Sequence, residues 1–399
     1  MVNLETIKQA QKRIEGVVVK TPLASAPYLS EVTNANIFLK KENLQITGAF
    51  KIRGAYNKIA SLSDDERAKG VIAASAGNHA QGVALSASRF GIKAVIVMPE
   101  STPLTKVNGV KHYGAEVVLH GTNYDEAYGY AMDYAQKNDL TFVHPFEDED
   151  VIAGQGTVGL EILENCDKLD AVIIPIGGGG LIAGIATAIK ALSPSTKVIG
   201  VSASGAPAFK QSYELKTAVD TTKVRTIADG IAVRDTSKIT LDYALQYVDE
   251  VISVDDEEIA SAILYLLEKQ KLVVEGAGAV GVAALLHDKV KDIKDKNVAV
   301  VLSGGNMDVT LLSVIIEKGL IKSHRKMNLT VTLIDKPGSL MRFTEILNGL
   351  NANIVHIAYD RTSVSLDYGD ANVTVHVETK GKEHQDEIYA ALKSEGYIR

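Results

Sequence analysis

Short apolar runs alternate with segments of helical spacing along most of the chain. GVIAAS (70–75) is followed by HAQGVALSASRF (79–90), a helical pattern. KAVIVMPE (93–100), AEVVLHG (115–121) and TFVHPF (141–146) continue the series, with the charged helix YDEAYGYAMDYAQKN between the last two. From Asp170 the pattern starts again: DAVIIPI, a helix to about Leu192, KVIGVSAS (197–204), EVISVDD (250–256) and NVAVVLSGG (297–305). Continuous apolar strands between helices predict parallel sheets covered on both faces. Two such series predict two α/β subdomains.

From Asn328 the strands alternate instead, as in LTVTLI (329–334) and NVTVHVE (372–378). Alternation marks a sheet buried on one face only. The predicted order is strand, loop DKPGSL, helix LMRFTEILNGL, strand NIVHIAYDR, strand NVTVHVE, helix HQDEIYAAL and a short final YIR. That is β-α-β-β-α-β, the ferredoxin-like unit. IKSHRKMN (321–328) is the predicted linker.

Composition narrows the function classes. The chain has 399 residues, enough for two or three domains, with 46% hydrophobic and 23% charged residues. A net charge of −7 lacks the basic footprint that nucleic acid requires. The polar opening MVNLETIKQAQKRIEG predicts no secretory signal, and the single Cys166 predicts no internal disulfide and a reducing, cytoplasmic setting. AVIIPIGGGGLIAGIATAI (171–189) is uncharged, but four glycines interrupt it, so a buried strand, a glycine loop and a helix fit better than a membrane span.

That glycine loop is the first chemical candidate. Residues 177–180 follow an apolar strand and precede a helix. Four glycines let backbone N–H groups converge at a helix N-terminus, which is a cradle for a phosphate. The loop lacks the Gly-Lys-Ser/Thr of a P-loop. GAGAVG (276–281) matches G-x-G-x-x-G, with KLVV before it reading as a strand. A dinucleotide site also needs an acid at the end of the next strand, and VAVVL ends in Ser303-Gly304-Gly305. Glycines for close helix packing are the better reading, and Glu275 stands just before them. SAGNHAQG (75–82) offers hydroxyl, amide and backbone donors from Ser75, Gly77 and Asn78, suited to a carboxylate. His79 has no second ligand at metal spacing, so a packed histidine is expected.

In TGAFKIRGA (47–55) a lysine, Lys51, stands among apolar neighbours. A snorkelling side chain explains this, and so does a lysine whose amine is meant to lose its proton.

TGAFKIRGA, SAGNHAQGVA, MPESTPLTKV, IGGGGLIAG, TIADGIAV, EGAGAV and SGGN, in this order, resemble the fold type II pyridoxal-phosphate enzymes (the tryptophan synthase β family), in the threonine dehydratase branch. The resemblance covers roughly 1–320 and implies two parallel-sheet subdomains, the smaller at approximately 52–150 inserted in the larger. The tail, 327–399, resembles an ACT domain, a regulatory module that binds amino acids. Together they are similar to single-ACT threonine ammonia-lyases.

The resemblance assigns roles. Lys51 would form the Schiff base with pyridoxal 5'-phosphate and take the substrate's Cα proton, and Ala49 and Phe50 would desolvate its amine. Gly177, Gly178, Gly179, Gly180 and Leu181 would hold the cofactor phosphate. Asn78 would meet the ring hydroxyl, Ser303 the ring nitrogen and Ser75 the substrate carboxylate. A neutral serine at the ring nitrogen favours prompt β-elimination over transamination. The implied reaction turns L-threonine into 2-oxobutanoate and ammonia, and L-serine into pyruvate. Serine racemases of the family carry a second serine where this chain has Ala76, which disfavours racemisation. Members that bind a divalent cation carry a glutamate where this chain has Ser202-Ala203-Ser204-Gly205, so no metal is expected there. An effector, isoleucine or valine, would bind the ACT turn at Pro337, Gly338, Ser339 and Leu340, facing Asn353 and Ile354. A homodimer or homotetramer is implied. The alternatives are serine racemase or hydroxyaspartate dehydratase in the same family, and, in another class, an NAD-dependent oxidoreductase or an inactive amino-acid sensor.

Overall fold

Val, Ile and Ala fill the inner strands, and both faces of those strands are buried. The computed structural model describes residues 1–398. The chain divides into a unit of residues 1–308 and a second from Val309 onward. In the first unit a six-stranded sheet runs in the order Leu23–Ser25, Asn36–Lys40, Asn297–Val301, Ala171–Pro175, Lys197–Ala203 and Glu250–Val254. Its first pairing is antiparallel and the rest are parallel. A four-stranded parallel sheet has the order Glu116–Leu119, Ala94–Met98, Val71–Ala74 and Thr141–Phe142. The chain therefore begins the large sheet, leaves to build the small one, and returns.

Two helices carry the crossing. Lys51–Ser61 leads out and Glu149–Glu164 leads back, and they pack against each other. The contact is backbone to backbone. A Cβ on Gly154 would lie 2.5 Å from the Arg53 carbonyl oxygen and 2.6 Å from the Gly54 Cα, so any larger residue would push the lysine-bearing helix away.

Three expectations change in this unit. The strands Leu23–Ser25 and Asn36–Lys40 are not evident in the sequence, where NIFLKK carries two lysines, one of them the fully buried Lys40. TFVHPF gives only Thr141–Phe142 as strand, because Pro145 cannot donate to a ladder and the N–H groups of Phe146 and Glu147 turn to the His144 Nδ1. KLVV (271–274) is not a strand. It links a π-helical turn, Leu266–Gln270, to the helix Gly276–Leu286. GAGAVG thus has no strand before it, and its glycines are spaces for neighbours: a Cβ on Gly276 would lie 2.6 Å from the Ile227 carbonyl oxygen and one on Gly278 2.7 Å from that of Gly304. The strand–turn–helix that a dinucleotide needs is not formed there.

The second unit contains the helix Val309–Lys322, the strand Lys326–Ile334, the helix Ser339–Gly349, the strands Asn353–Asp360 and Asp370–Glu378, and the helix Lys382–Ser394. Its sheet is antiparallel with Asp370–Glu378 in the centre. Met327, Leu329, Val331 and Leu333 alternate inward, as the pattern predicts, against Phe343, Leu347, Ile388 and Leu392. The expected linker, 321–328, shortens to residues 323–325 because helix and strand extend into it. Among the described residues the sheet has three strands. Of the expected fourth, 397–399, Tyr397 and Ile398 pack on the core outside the sheet, and Arg399 lies outside the described residues. No helix among the described residues is long and apolar enough to cross a membrane.

Candidate active site

Loop 47–50 and loop 302–306 are zipped together although some 250 residues separate them. The Phe50 N–H donates to the Ser303 carbonyl (3.0 Å), Gly305 N–H to that of Gly48 (2.8 Å), and Ala49 bridges Gly304. Lys51 begins its helix directly after this junction, so the junction fixes where its side chain starts. A cavity of about 560 Å³ opens beside it. Lys51, Ser75, Asn78, residues 177–181 and Ser303, the catalytic and cofactor residues read from the sequence, all line this one cavity.

The tetraglycine loop joins the strand Ala171–Pro175 to the helix Gly180–Leu192. Its glycines answer to close neighbours: a Cβ on Gly178 would fall 2.4 Å from the Phe146 ring and one on Gly179, which has a φ of +87°, 2.4 Å from Phe209. Among the described residues, the N–H groups of residues 177–181 have no protein acceptor. Unpaired donors at a helix N-terminus, facing a cavity, are what a phosphate group requires. The site therefore fits pyridoxal 5'-phosphate at both ends, phosphate at the loop and aldehyde at the lysine.

Lys51 is half-buried. Burial pulls its pKa down to about 8, against a smaller upward pull from Glu275. Its Nζ donates to the Pro145 carbonyl (2.8 Å) and lies 5.2 Å from the Phe50 ring centre. An amine held this way is substantially neutral near pH 8, so it can attack a carbonyl and accept a proton. Ser75 Oγ accepts from the Gly77 N–H (3.2 Å), which shapes the loop ahead of the helix Asn78–Phe90. His79 is buried, its Nε2 against the Val143 carbonyl (2.8 Å), and burial with Lys51 nearby lowers its pKa to about 3. It is a neutral packed histidine.

Glu275 is a buried carboxyl in the site, and sequence reading caught only its place before the turn. It is buried, and burial, with Asp229 nearby, raises its pKa to about 7. Two ion pairs cross the cavity rim, Lys106 to Asp229 (2.9 Å) and Arg234 to Asp125 (2.8 Å). No local pattern announces either, because each joins residues more than 100 positions apart.

In the second unit, residues 337–340 form the turn into the helix Ser339–Gly349, with Ser339 buried. Asn353 and Ile354 do not face it. Asn353 pairs with Glu378 at one end of the sheet, whereas the turn follows Ile334, which pairs with Asp370 at the other. The helix between carries the chain back before the second strand starts. The residues beside the turn are Tyr359, whose hydroxyl donates to Asp335 (2.9 Å), and Arg361, 3.2 Å from the same carboxylate.

Comparison with known proteins points the same way. The family of pyridoxal-phosphate dependent enzymes matches residues 14–304. An L-threonine ammonia-lyase of Thermotoga maritima is 49% identical over 397 residues, spanning 100% of this chain and 98% of that protein. Among solved structures, processed threonine deaminase isoform 2 from Solanum lycopersicum superposes with a TM-score of 0.76 at 39% identity, covering 78% of this chain and 87% of that one. Maize serine racemase also reaches 0.76, at 36% identity, covering 81% and 99%.

Proposed function

Because the chain belongs to the pyridoxal-phosphate dependent enzyme family, we propose that it is a threonine ammonia-lyase, turning L-threonine into 2-oxobutanoate and ammonia and L-serine into pyruvate and ammonia. The observation that carries this reading is a single cavity with a lysine amine whose pKa burial lowers on one wall and, among the described residues, five unpaired backbone N–H groups on another. When bound, pyridoxal 5'-phosphate supplies an aldehyde to the amine and a conjugated ring that takes up the electron pair left at Cα.

The chain's own residues do the rest. Residues 177–181 hold the phosphate by their N–H groups and the helix end. Lys51, held by the Pro145 carbonyl, takes the Cα proton at Nζ. Ser75, whose Oγ the Gly77 N–H holds, would bind the substrate carboxylate, and Asn78 and Ser303 would hold the ring edge. Threonine loses its Cα proton and its β-hydroxyl as water, and the enamine released takes up water to give the oxo acid and ammonia. Ser303 would offer the ring nitrogen a neutral hydroxyl, which favours elimination over transamination.

The test is oxo-acid formation from L-threonine and L-serine by the yellow protein, with borohydride fixing the colour to Lys51. Formation of D-serine would favour the racemase reading, which the maize likeness raises and Ala76 opposes. A colourless protein that reduces NAD would overturn both.

We further propose that 327–399 is an ACT regulatory domain after a catalytic domain of 1–320, in a cytoplasmic homodimer or homotetramer. Its antiparallel sheet with helices on one face supports this. Isoleucine or valine would sit at the turn 337–340, and Asn353 and Ile354 would reach that ligand only from a second copy. Unchanged activity and melting temperature with both amino acids would refute this.

A further inference from the structure

Asn78 has an amide with two N–H donors and one carbonyl acceptor, and the structure engages all but one of these. Its Nδ2 donates to Glu275 Oε1 (2.7 Å). Its Oδ1 accepts from Asn306 Nδ2 (2.7 Å), and the same Nδ2 donates to the Thr47 carbonyl (2.8 Å). Asn306 thereby uses both its donors, so Asn78 must present oxygen to Asn306 and nitrogen to Glu275. One N–H of Asn78 is left over, on a residue that lines the cavity.

Glu275 is itself closely packed. Its N–H donates to the Gly304 carbonyl (3.1 Å). A Cβ on Gly304 would lie 2.4 Å from its Oε1 and one on Gly230 3.4 Å away, so the carboxylate fits between two glycines. No reaction step described above uses it. We propose that Glu275 is a positioning residue: it holds the Asn78 amide by one N–H so that the other is aimed at the ring hydroxyl of the cofactor. This rests on the cofactor reading above. The charges that bear on Glu275 are Asp229, which opposes ionisation, and Lys106 and Lys51, which favour it; burial opposes it most. The hold on Asn78 is therefore strongest when Glu275 is ionised, since a charged acceptor makes the stronger bond.

The experiment titrates cofactor-free protein with pyridoxal 5'-phosphate and records the visible band, without substrate. Glu275→Ala should weaken binding about tenfold, the equivalent of one lost hydrogen bond, and displace the band. Asn78→Ala should do the same, and the double variant should bind no more than about twofold more weakly than Asn78→Ala alone, because the two act through one contact. Glu275→Gln keeps the acceptor and the shape but not the charge. It should match the parent at pH 6 and bind about threefold more weakly at pH 8.5, a test that holds even where the alanine variants do not fold. Multiplicative losses in the double variant, or a Glu275→Gln deficit that ignores pH, would overturn the proposal. A parent protein with no band that borohydride fixes to Lys51 would overturn the cofactor reading instead.

Discussion

Lys51 and Arg53 stand two residues apart on one helix, in surroundings of opposite kind. Arg53, outside the cavity lining, enters a buried cluster. Its guanidinium makes a fork with Glu42, both contacts at 2.8 Å, and a second pair of bonds with Glu161 at 2.7 and 2.9 Å; Lys40 also pairs with Glu161. Burial alone would lower the Arg53 pKa, but Glu42 and Glu161 more than offset it and raise the value above normal. Burial would raise that of Glu42, and Arg53 more than offsets this. Lys40, with a weaker set of partners, is lowered by burial. Across the helix, Lys51 has only a carbonyl as partner and Glu275 only an amide, and both drift toward neutrality. A buried charge with a fitted counter-charge is structure; one without is available for proton chemistry.

Exchanging the two roles gives the largest expected effects. Lys51→Ala should lower turnover about a thousandfold or more and abolish the borohydride-fixed colour, yet leave the fold intact, since no counter-charge is stranded. Arg53→Ala should do the reverse. It leaves Glu42 and Glu161 buried without their guanidinium, which is expected to remove about 3–5 kcal/mol of stability, read by denaturant unfolding. An Arg53→Ala protein as stable as the parent would mean that the cluster is not what anchors the helix.

The same contrast marks what sequence could reveal. Lys51, the tetraglycine loop and the inner strands are legible because their chemistry is local: a lysine among apolar residues, four glycines after a buried strand, runs of Val and Ile. The Arg53 cluster draws on positions 40, 42, 53 and 161, and no spacing links them. Glu275 owes its raised pKa to burial by distant elements and to Asp229, so sequence gives its position without its state. KLVV has the composition of a strand, but the π-turn before it and the helix after it leave it no ladder to join. Asn353 and the turn 337–340 look adjacent as motifs and are separated by the length of a strand, because the helix between them returns the chain to the other end of the sheet.

A smaller effect tests the wall opposite Lys51. Gly178→Ala would place a methyl group 2.4 Å from the Phe146 ring. Phe146 follows Pro145, whose carbonyl holds the lysine, so moving the ring disturbs both ends of the site. Overpacking of this kind costs about 1–3 kcal/mol. Cofactor affinity should fall accordingly in a titration of the cofactor-free protein, while a Gly129→Ala control, where a Cβ would meet nothing within 4 Å and the backbone is not left-handed, should leave affinity unchanged.

The smallest effect is a pair of pH profiles that should run in opposite directions. Glu275 has a folded pKa of about 7, above its ordinary 4.5. Across that window the folded chain keeps a proton that the unfolded chain has lost, so its contribution to stability is present at low pH and disappears as pH rises through 7. Lys51 has a folded pKa of about 8, below its ordinary 10.5. Here the unfolded chain keeps the proton, so stability is recovered as pH rises from 8 toward 10.5. Cofactor-free Glu275→Gln should therefore melt with the parent near pH 4.5 and higher than the parent at pH 8, by roughly 2–4 °C. Lys51→Met should melt higher at pH 7 and lose that advantage by pH 10.5. Arg53 and Glu42, held charged by each other, should show neither slope above pH 5. Parallel profiles for the Lys51 and Glu275 variants would mean that the unpaired groups are as firmly charged as the paired ones, and the distinction between the two sides of the helix would fail.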